Sequence, residues 1–238
     1  PLDAIKKISE GEELSSKNEL HQGLINLGIN NILIPEENNG LGLDLLFACA
    51  VSQSLGEGIA TLPFLGPYVI APITIKYGAN DKQKERLFNE MSQNLINFGV
   101  GFSEYFGSRD SSGLSIKNNT VTGRTLFVLD TDYASHVMLC DKEGKIGFVS
   151  LDSEGVEIID LITVDKTRIY KEMNFENTPI EILENTKSSC LAAEMALNAG
   201  RIITAADSLG AAQAMINKAV EYSHERKQFN RVIGSFQA

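Results

Sequence analysis

The chain contains no tryptophan, and only three histidines and three cysteines among its 238 residues. Cys49, Cys140 and Cys190 lie far apart, no C-x-x-C pair occurs, and His21, His136 and His224 are scattered. A zinc centre is therefore not expected, and no metal ligand is assigned. Three thiols, each among apolar neighbours, read as buried free cysteines of a reducing compartment. Basic charge is short as well: 21 Lys and Arg against 31 Asp and Glu give a net charge of -10. That deficit argues against a nucleic-acid binder, whose phosphate contacts need a basic excess. A phosphate-bearing small molecule stays open, because a few local cations and backbone N–H groups suffice for it. No apolar run approaches the roughly 20 residues that cross a bilayer. The opening Pro1-Leu2-Asp3-Ala4-Ile5-Lys6-Lys7 lacks the apolar stretch of a secretory signal, which leaves the cytoplasm as the expected compartment. Position 1 is not Met, so a fragment or a processed form is expected.

What is present divides the chain into three textures. Over residues 1–96 the pattern is helical and broken by turns. Leu20, Leu24, Ile25 and Leu27 form an apolar stripe ending at Gly28, and Leu45, Leu46, Ala48, Cys49 and Ser52 form another ending at Gly56 and Gly58. Asn80 stands three residues before Gln83, the spacing of a capping box, and opens a helix through Leu87, Phe88 and Met91. Over 97–185 short β-branched or alternating runs take over, at Val121–Leu129, Val137–Leu139, Ile146–Leu151 and Val156–Ile159. Asp141–Gly144 and Asp152–Gly155 mark turns of the kind that join antiparallel hairpins. Closely spaced strands without helices between them predict a sandwich or barrel. Over 186–238 the pattern is one long Ala-rich helix, with Leu191, Met195, Ile202, Leu209, Met215 and Ala219 at helical spacing. Gly200 and Gly210 inside it predict close approach of neighbouring helices, since each costs about 1 kcal/mol against Ala. The fold expected is α+β and multidomain: a helical domain, an antiparallel β-barrel, and the start of a second helical domain that is incomplete here.

That order, with several local motifs, resembles the acyl-CoA dehydrogenase family. Leu27-Gly28 followed by Ile34-Pro35-Glu36-Glu37-Asn38-Asn39-Gly40-Leu41-Gly42 is similar to the family's L-G…P-E-E-x-G-G-x-G segment. Ser54-Leu55-Gly56, Pro63-Phe64, and Gly78 with Asp81-Lys82-Gln83-Lys84 match in support. The most specific stretch is the tail: Leu209-Gly210-Ala211-Ala212-Gln213, then Tyr222, Arg226, Gln228 and Phe229, then Ile233-Gly234-Ser235-Phe236-Gln237. The resemblance implies FAD as cofactor and an acyl-CoA thioester as substrate, oxidised to its α,β-enoyl-CoA. In that chemistry a carboxylate takes the α proton and the β hydrogen leaves as hydride to the flavin. It also implies a homodimer or tetramer, and an electron-transfer flavoprotein as electron acceptor.

Site residues follow position by position. Phe102 and Ser103 fall in the loop that touches the flavin in the family, where Tyr105 replaces a Pro and the loop is one residue shorter. Ser108 falls on its substrate side. A surface turn rich in Gly and Ser would read the same way. Phe127, Val128 and Leu129 occupy the place of a W-I-T strand; Phe127 can offer the aromatic face, whereas Leu129 has no hydroxyl. An aromatic in a β core is the alternative. Arg226, Gln228, Phe229 and Gln237 match the motif that reaches the FAD of a second subunit, and Arg is suited to a pyrophosphate by its bidentate fork. From charge alone a solvated helix end, with His224, Lys227 and Arg231 complementing the helix dipole, is the favoured reading, and the motif reverses it. Arg201 matches an Arg on the substrate side.

No catalytic base is identified. Gly200 stands where some family members carry the Glu, and Glu194 is two helical turns away from Arg201. Three functions follow: a dehydrogenase whose base lies elsewhere, a silent or half-site subunit of a hetero-oligomer like the divergent sterol-degrading members, or a flavin monooxygenase on the same scaffold.

Overall fold

A computed structural model of the chain describes residues 15–107, 113–165, 167–185 and 189–236. Among the described residues the first part carries four α-helices: α1 (Ser15–Asn26), α2 (Leu45–Glu57), α3 (Ala71–Gly78) and α4 (Asp81–Ser92). Their starts are written locally. Asp44 accepts hydrogen bonds from the Leu46 and Phe47 amides to open α2. Asn80 and Gln83 complete the expected reciprocal box at α4, a cap whose loss costs about 1 kcal/mol. The segment Gly66–Ile70 is not a loop, despite Gly66 and Pro67; it is a π-helical turn leading straight into α3. The Gly66 amide, freed at that wide turn, donates to Asp130 Oδ2 at 2.7 Å.

Among the described residues the middle part holds eight strands in one sheet. They are β1 (Phe98–Gly101), then, after the short helix α5 (Ser103–Phe106), β2 (Gly113–Lys117), β3 (Thr120–Leu129), β4 (His136–Cys140), β5 (Ile146–Ser150), β6 (Val156–Leu161), β7 (Tyr170–Pro179) and β8 (Glu181–Ile182). Their order is β6-β7-β3-β1-β4-β5-β8, with β2 on β3. Two expectations are corrected. The sheet is not wholly antiparallel, because β1 and β4 run parallel. The Asp152–Gly155 turn does not close a hairpin, because β6 pairs with β7 and not with β5. There the Glu176 amide donates to the Gly155 carbonyl at 2.9 Å, which carries the chain across to the far edge. The Asp141–Gly144 turn does close one: Asp141 Oδ1 accepts from the amides of Glu143 and Lys145. Val149 of β5 shares a core with Met173 and Phe175 of β7, although three strands separate them. The sheet therefore curls around its own interior in the manner of an open barrel.

The last part is α6 (Ser189–Glu225), 37 residues and about 55 Å long at 1.5 Å per residue. It is followed by a two-strand hairpin, β9 (Lys227–Gln228) and β10 (Arg231–Val232). The first half of α6 is anchored. Ala192, Ala193 and Ala196 join a core with Ile70, Ile75, Phe98 and Phe102, which welds the first helices, one sheet face and α6 together. At Gly210 an added Cβ would lie 1.9 Å from the Gln53 carbonyl oxygen, and at Gly56 2.0 Å from that of Asp207. These two glycines let α2 and α6 cross backbone to backbone, so Gly56 serves as a contact and not as the helix stop its composition suggests. Gly200 differs: its Cβ would meet only Ile70 Cδ1, at 3.5 Å. Cys140 is buried as expected, but Cys190 is exposed and Cys49 half-buried. The apolar stripe of α1 and the residue after it is partly exposed too, at Leu20 and Leu27. Among the described residues no helix is long and apolar enough to cross a membrane.

Candidate functional site

Where the sheet, the π-helical turn and α6 meet, they enclose a cavity of about 460 Å³. Its floor is Leu65 and Ile70 of the turn. One wall belongs to the sheet, with Phe102 and Ser103 after β1, Phe127 and Leu129 of β3, and Tyr170 of β7. The other wall is one face of α6, with Ala196, Leu197, Gly200, Arg201 and Thr204. The volume falls inside the range of ordinary small-molecule sites, and the lining is nearly all apolar.

The sheet wall has an unusual backbone. Between Thr125 and Val128 the register of β3 against β7 slips, and Phe127 adopts φ +56°. A left-handed backbone at a bulky aromatic costs about 1–2 kcal/mol. The bulge is held by Ser103, whose hydroxyl donates to the Leu126 carbonyl at 2.6 Å and lies 3.2 Å from Thr125 Oγ1. That bond satisfies a carbonyl that the bulge removes from the ladder. The result turns Phe127 out of the sheet core towards the cavity, where its ring meets Tyr170 edge-on at 6.1 Å. Burial raises the Tyr170 phenol above the usual tyrosine value, with Arg168 opposing and Asp165 and Asp130 reinforcing. Arg168 pairs with Asp207 of α6 at 3.0 Å, which braces the two walls against each other.

Of the residues singled out in the sequence, Phe102, Ser103, Phe127, Leu129 and Arg201 come together here. Val128 does not; alternation along β3 sends it into the interior of the sheet, fully buried. Ser103 faces the cavity, but its proton serves the bulge. Arg201 is exposed and donates to Asn198 Oδ1 at 3.2 Å; among the described residues it pairs with no carboxylate. Arg226, Gln228 and Phe229 lie at the other end of α6, 25 or more residues and about 36 Å along the helix from Arg201. They are exposed. Phe229 and Asn230, at φ +50° and +66°, form the tight turn between β9 and β10, and Phe236 packs edge-on to Phe229 and under Arg231. Ser108 and Gln237 lie outside the described residues. Glu194 is exposed on α6, and no carboxylate lines the cavity among the described residues.

Sequence reasoning missed Leu65, Ile70, Tyr170, Leu197 and Thr204. Leu197 and Thr204 were accessible, since 197, 200, 201 and 204 follow the i, i+3, i+4, i+7 rule of one helix face. Tyr170 carried no such signal, because it enters only through pairing with Leu129, 41 positions away.

Residues 3–94 match the model of the acyl-CoA dehydrogenase N-terminal domain, and residues 191–238 match that of the C-terminal domain. Together they cover more than half of the chain. The chain is 24% identical to the 3-(aryl)acrylate reductase of Clostridium sporogenes over 89% of its own length and 62% of that protein's. It is 25% identical to the caffeyl-CoA reductase-Etf complex subunit CarC of Acetobacterium woodii, over 95% and 66%. Among solved structures it resembles butyryl-CoA dehydrogenase from Megasphaera elsdenii, with a TM-score of 0.81 and 21% identity over 98% of this chain and 66% of that one. The chain thus spans about three fifths to two thirds of these relatives' lengths.

Proposed function

The chain belongs to the acyl-CoA dehydrogenase family, and on that premise we propose that its cavity is the flavin and acyl-thioester site of an FAD-dependent acyl-CoA dehydrogenase. The observation that carries this reading is the cavity itself. An aromatic wall at Phe102, Phe127 and Tyr170 faces a helix face kept thin by Ala196 and Gly200, and an apolar cavity so lined suits an aromatic ring system. Leu65, Ile70, Leu129 and Leu197 exclude water from it, as transfer of a hydride-equivalent requires. Arg201 at the rim supplies a permanent positive charge towards an anionic or carbonyl-bearing ligand. FAD, when bound, supplies the two-electron acceptor. Arg226 extends the same reading to a second subunit: its guanidinium pairs with no carboxylate among the described residues, and it suits the pyrophosphate of a neighbour's FAD. A homodimer or tetramer follows. Electron-transfer flavoprotein is the redox partner in this proposal, consistent with a relative named as part of an Etf complex. The free thiols are in keeping with action in the cytoplasm.

One observation favours a second reading. Among the described residues the wall offers no carboxylate to take an α proton, and Gly200 supplies none at its place. A half-site or silent subunit, completed by a different chain, would show this. The flavin monooxygenase alternative has no such support in the cavity. The experiment is the visible spectrum of the purified protein, before and after anaerobic addition of a panel of acyl-CoAs. A flavin band that bleaches with one thioester supports the dehydrogenase. A stable band with every thioester, bleaching only once a second chain is added, supports the half-site subunit. A colourless protein that takes up no added FAD sinks both.

A further inference from the structure

Among the described residues the polar side chains on the cavity wall are Ser103, Tyr170, Arg201 and Thr204, and three of them already make a hydrogen bond within the protein. Ser103 donates to the Leu126 carbonyl at 2.6 Å. Thr204 donates to the Gly200 carbonyl at 2.8 Å, the usual back-bond of a helical threonine. Arg201 is held by Asn198 at the exposed edge. Tyr170 is the exception: its hydroxyl has no hydrogen-bond partner among the described residues, and it is not among the sealed polar atoms. The Tyr170 hydroxyl is therefore open to water, and a ligand in the cavity can take up its hydrogen bond in water's place. Its register partner across the sheet is Leu129, the position at which the resemblance leads one to look for a hydroxyl and finds none.

We propose that Tyr170 is the cavity's ligand-directed hydrogen-bond donor, reaching from β7 to a carbonyl acceptor of the bound flavin ring and so supplying the hydroxyl that Leu129 lacks. The assignment rests on the flavin reading above. Its edge-on contact with Phe127 fixes the ring of Tyr170 against the same wall that would stack on a planar cofactor. Burial holds the phenol above its usual value, so it stays protonated and has a hydrogen to donate. A thioester carbonyl is the other acceptor of the same chemistry, and the two are separated by titrating each ligand alone.

The test is FAD affinity by flavin fluorescence, and the visible band of bound FAD, for the full chain and for Tyr170→Phe. The expected result is about threefold to tenfold weaker FAD binding with a displaced band, an unchanged thermal melting temperature, and recovery in Tyr170→Phe combined with Leu129→Thr. Weakened binding of an acyl-CoA with FAD affinity unchanged overturns the flavin assignment in favour of the thioester carbonyl. Tyr170→Phe that matches the parent for both ligands overturns the donor role altogether. Failure of the parent itself to take up FAD removes the flavin reading, and this assignment with it.

Discussion

The two halves of α6 have similar compositions and opposite fates. From Ala192 to Gly210 the helix turns small residues inward: Ala192, Ala193 and Ala196 are fully buried, Ala199 and Ile203 nearly so, and Ser52 Oγ of α2 donates to the Ile203 carbonyl at 3.0 Å. From Met215 to Tyr222 equally apolar side chains, Met215, Ile216, Val220 and Tyr222, are exposed. Both halves show helical periodicity, so periodicity alone says which residues share a face and not which face is covered. The cavity lies along the anchored half, whose small-residue face is packed against α2, α3 and the sheet. Arg226, Gln228 and Phe229, proposed above to reach a second subunit's cofactor, lie at the open end.

The sharpest way to break this contrast is at the crossing of α2 and α6. Gly210→Ala drives a Cβ into the Gln53 backbone and should destabilise the chain by about 3 kcal/mol, read as a lowered denaturant midpoint. A midpoint within error of the parent would mean that the helices do not cross so closely.

Next in size is alkaline loss of stability from the same anchored region. Tyr68, beneath α6, donates to or accepts from His21 Nε2 at 2.9 Å. Burial, and then the nearby Asp130 and Tyr133, push its phenol up to about 12 from 10.0. The folded chain thus keeps a proton that the unfolded chain releases first. Its stabilising contribution is full below pH ~10 and is lost as pH rises to ~12, a loss of roughly 2 kcal/mol. Urea melts across that range should show the decline, and Tyr68→Phe should flatten it while costing some stability throughout.

Gly200→Ala is the matched control for Gly210→Ala. Its Cβ has room beside Ile70, so removing a helical glycine should raise stability by about 0.5–1 kcal/mol. The same methyl narrows the cavity, so FAD uptake should weaken while the melting temperature rises. A fall in both would show that Gly200 is a packing contact after all. The smallest effect belongs to the open end: Arg226→Ala should change stability by no more than about 0.5 kcal/mol. Under the two-subunit reading it should still lower FAD retention in the assembled protein. Unaltered retention on gel filtration would detach Arg226 from the cofactor.

The sequence by itself determined the elements whose causes are local. Asn80 and Gln83 set the start of α4 through side chain and backbone three residues apart, and Asp141 with Gly144 set the β4–β5 hairpin. The motif residues of the tail could be named, and Phe102, Ser103, Phe127, Leu129 and Arg201 were legible as site candidates because each sits in a short recognisable string. Only the tertiary structure decided the rest. It paired β1 with β4 in parallel and sent β6 to β7, because strand partners are chosen by the curl of the whole sheet. A register slip held by Ser103 turned Phe127 towards the cavity while Val128 stayed in the core. Tyr170 reached the wall from 41 positions beyond Leu129. Gly200 and Gly210 looked alike in the helix pattern, yet one faces a cavity and the other a backbone. A sequence states what each residue can do over a few neighbours; which of those capacities is used depends on what packs opposite, and that is a property of the folded chain.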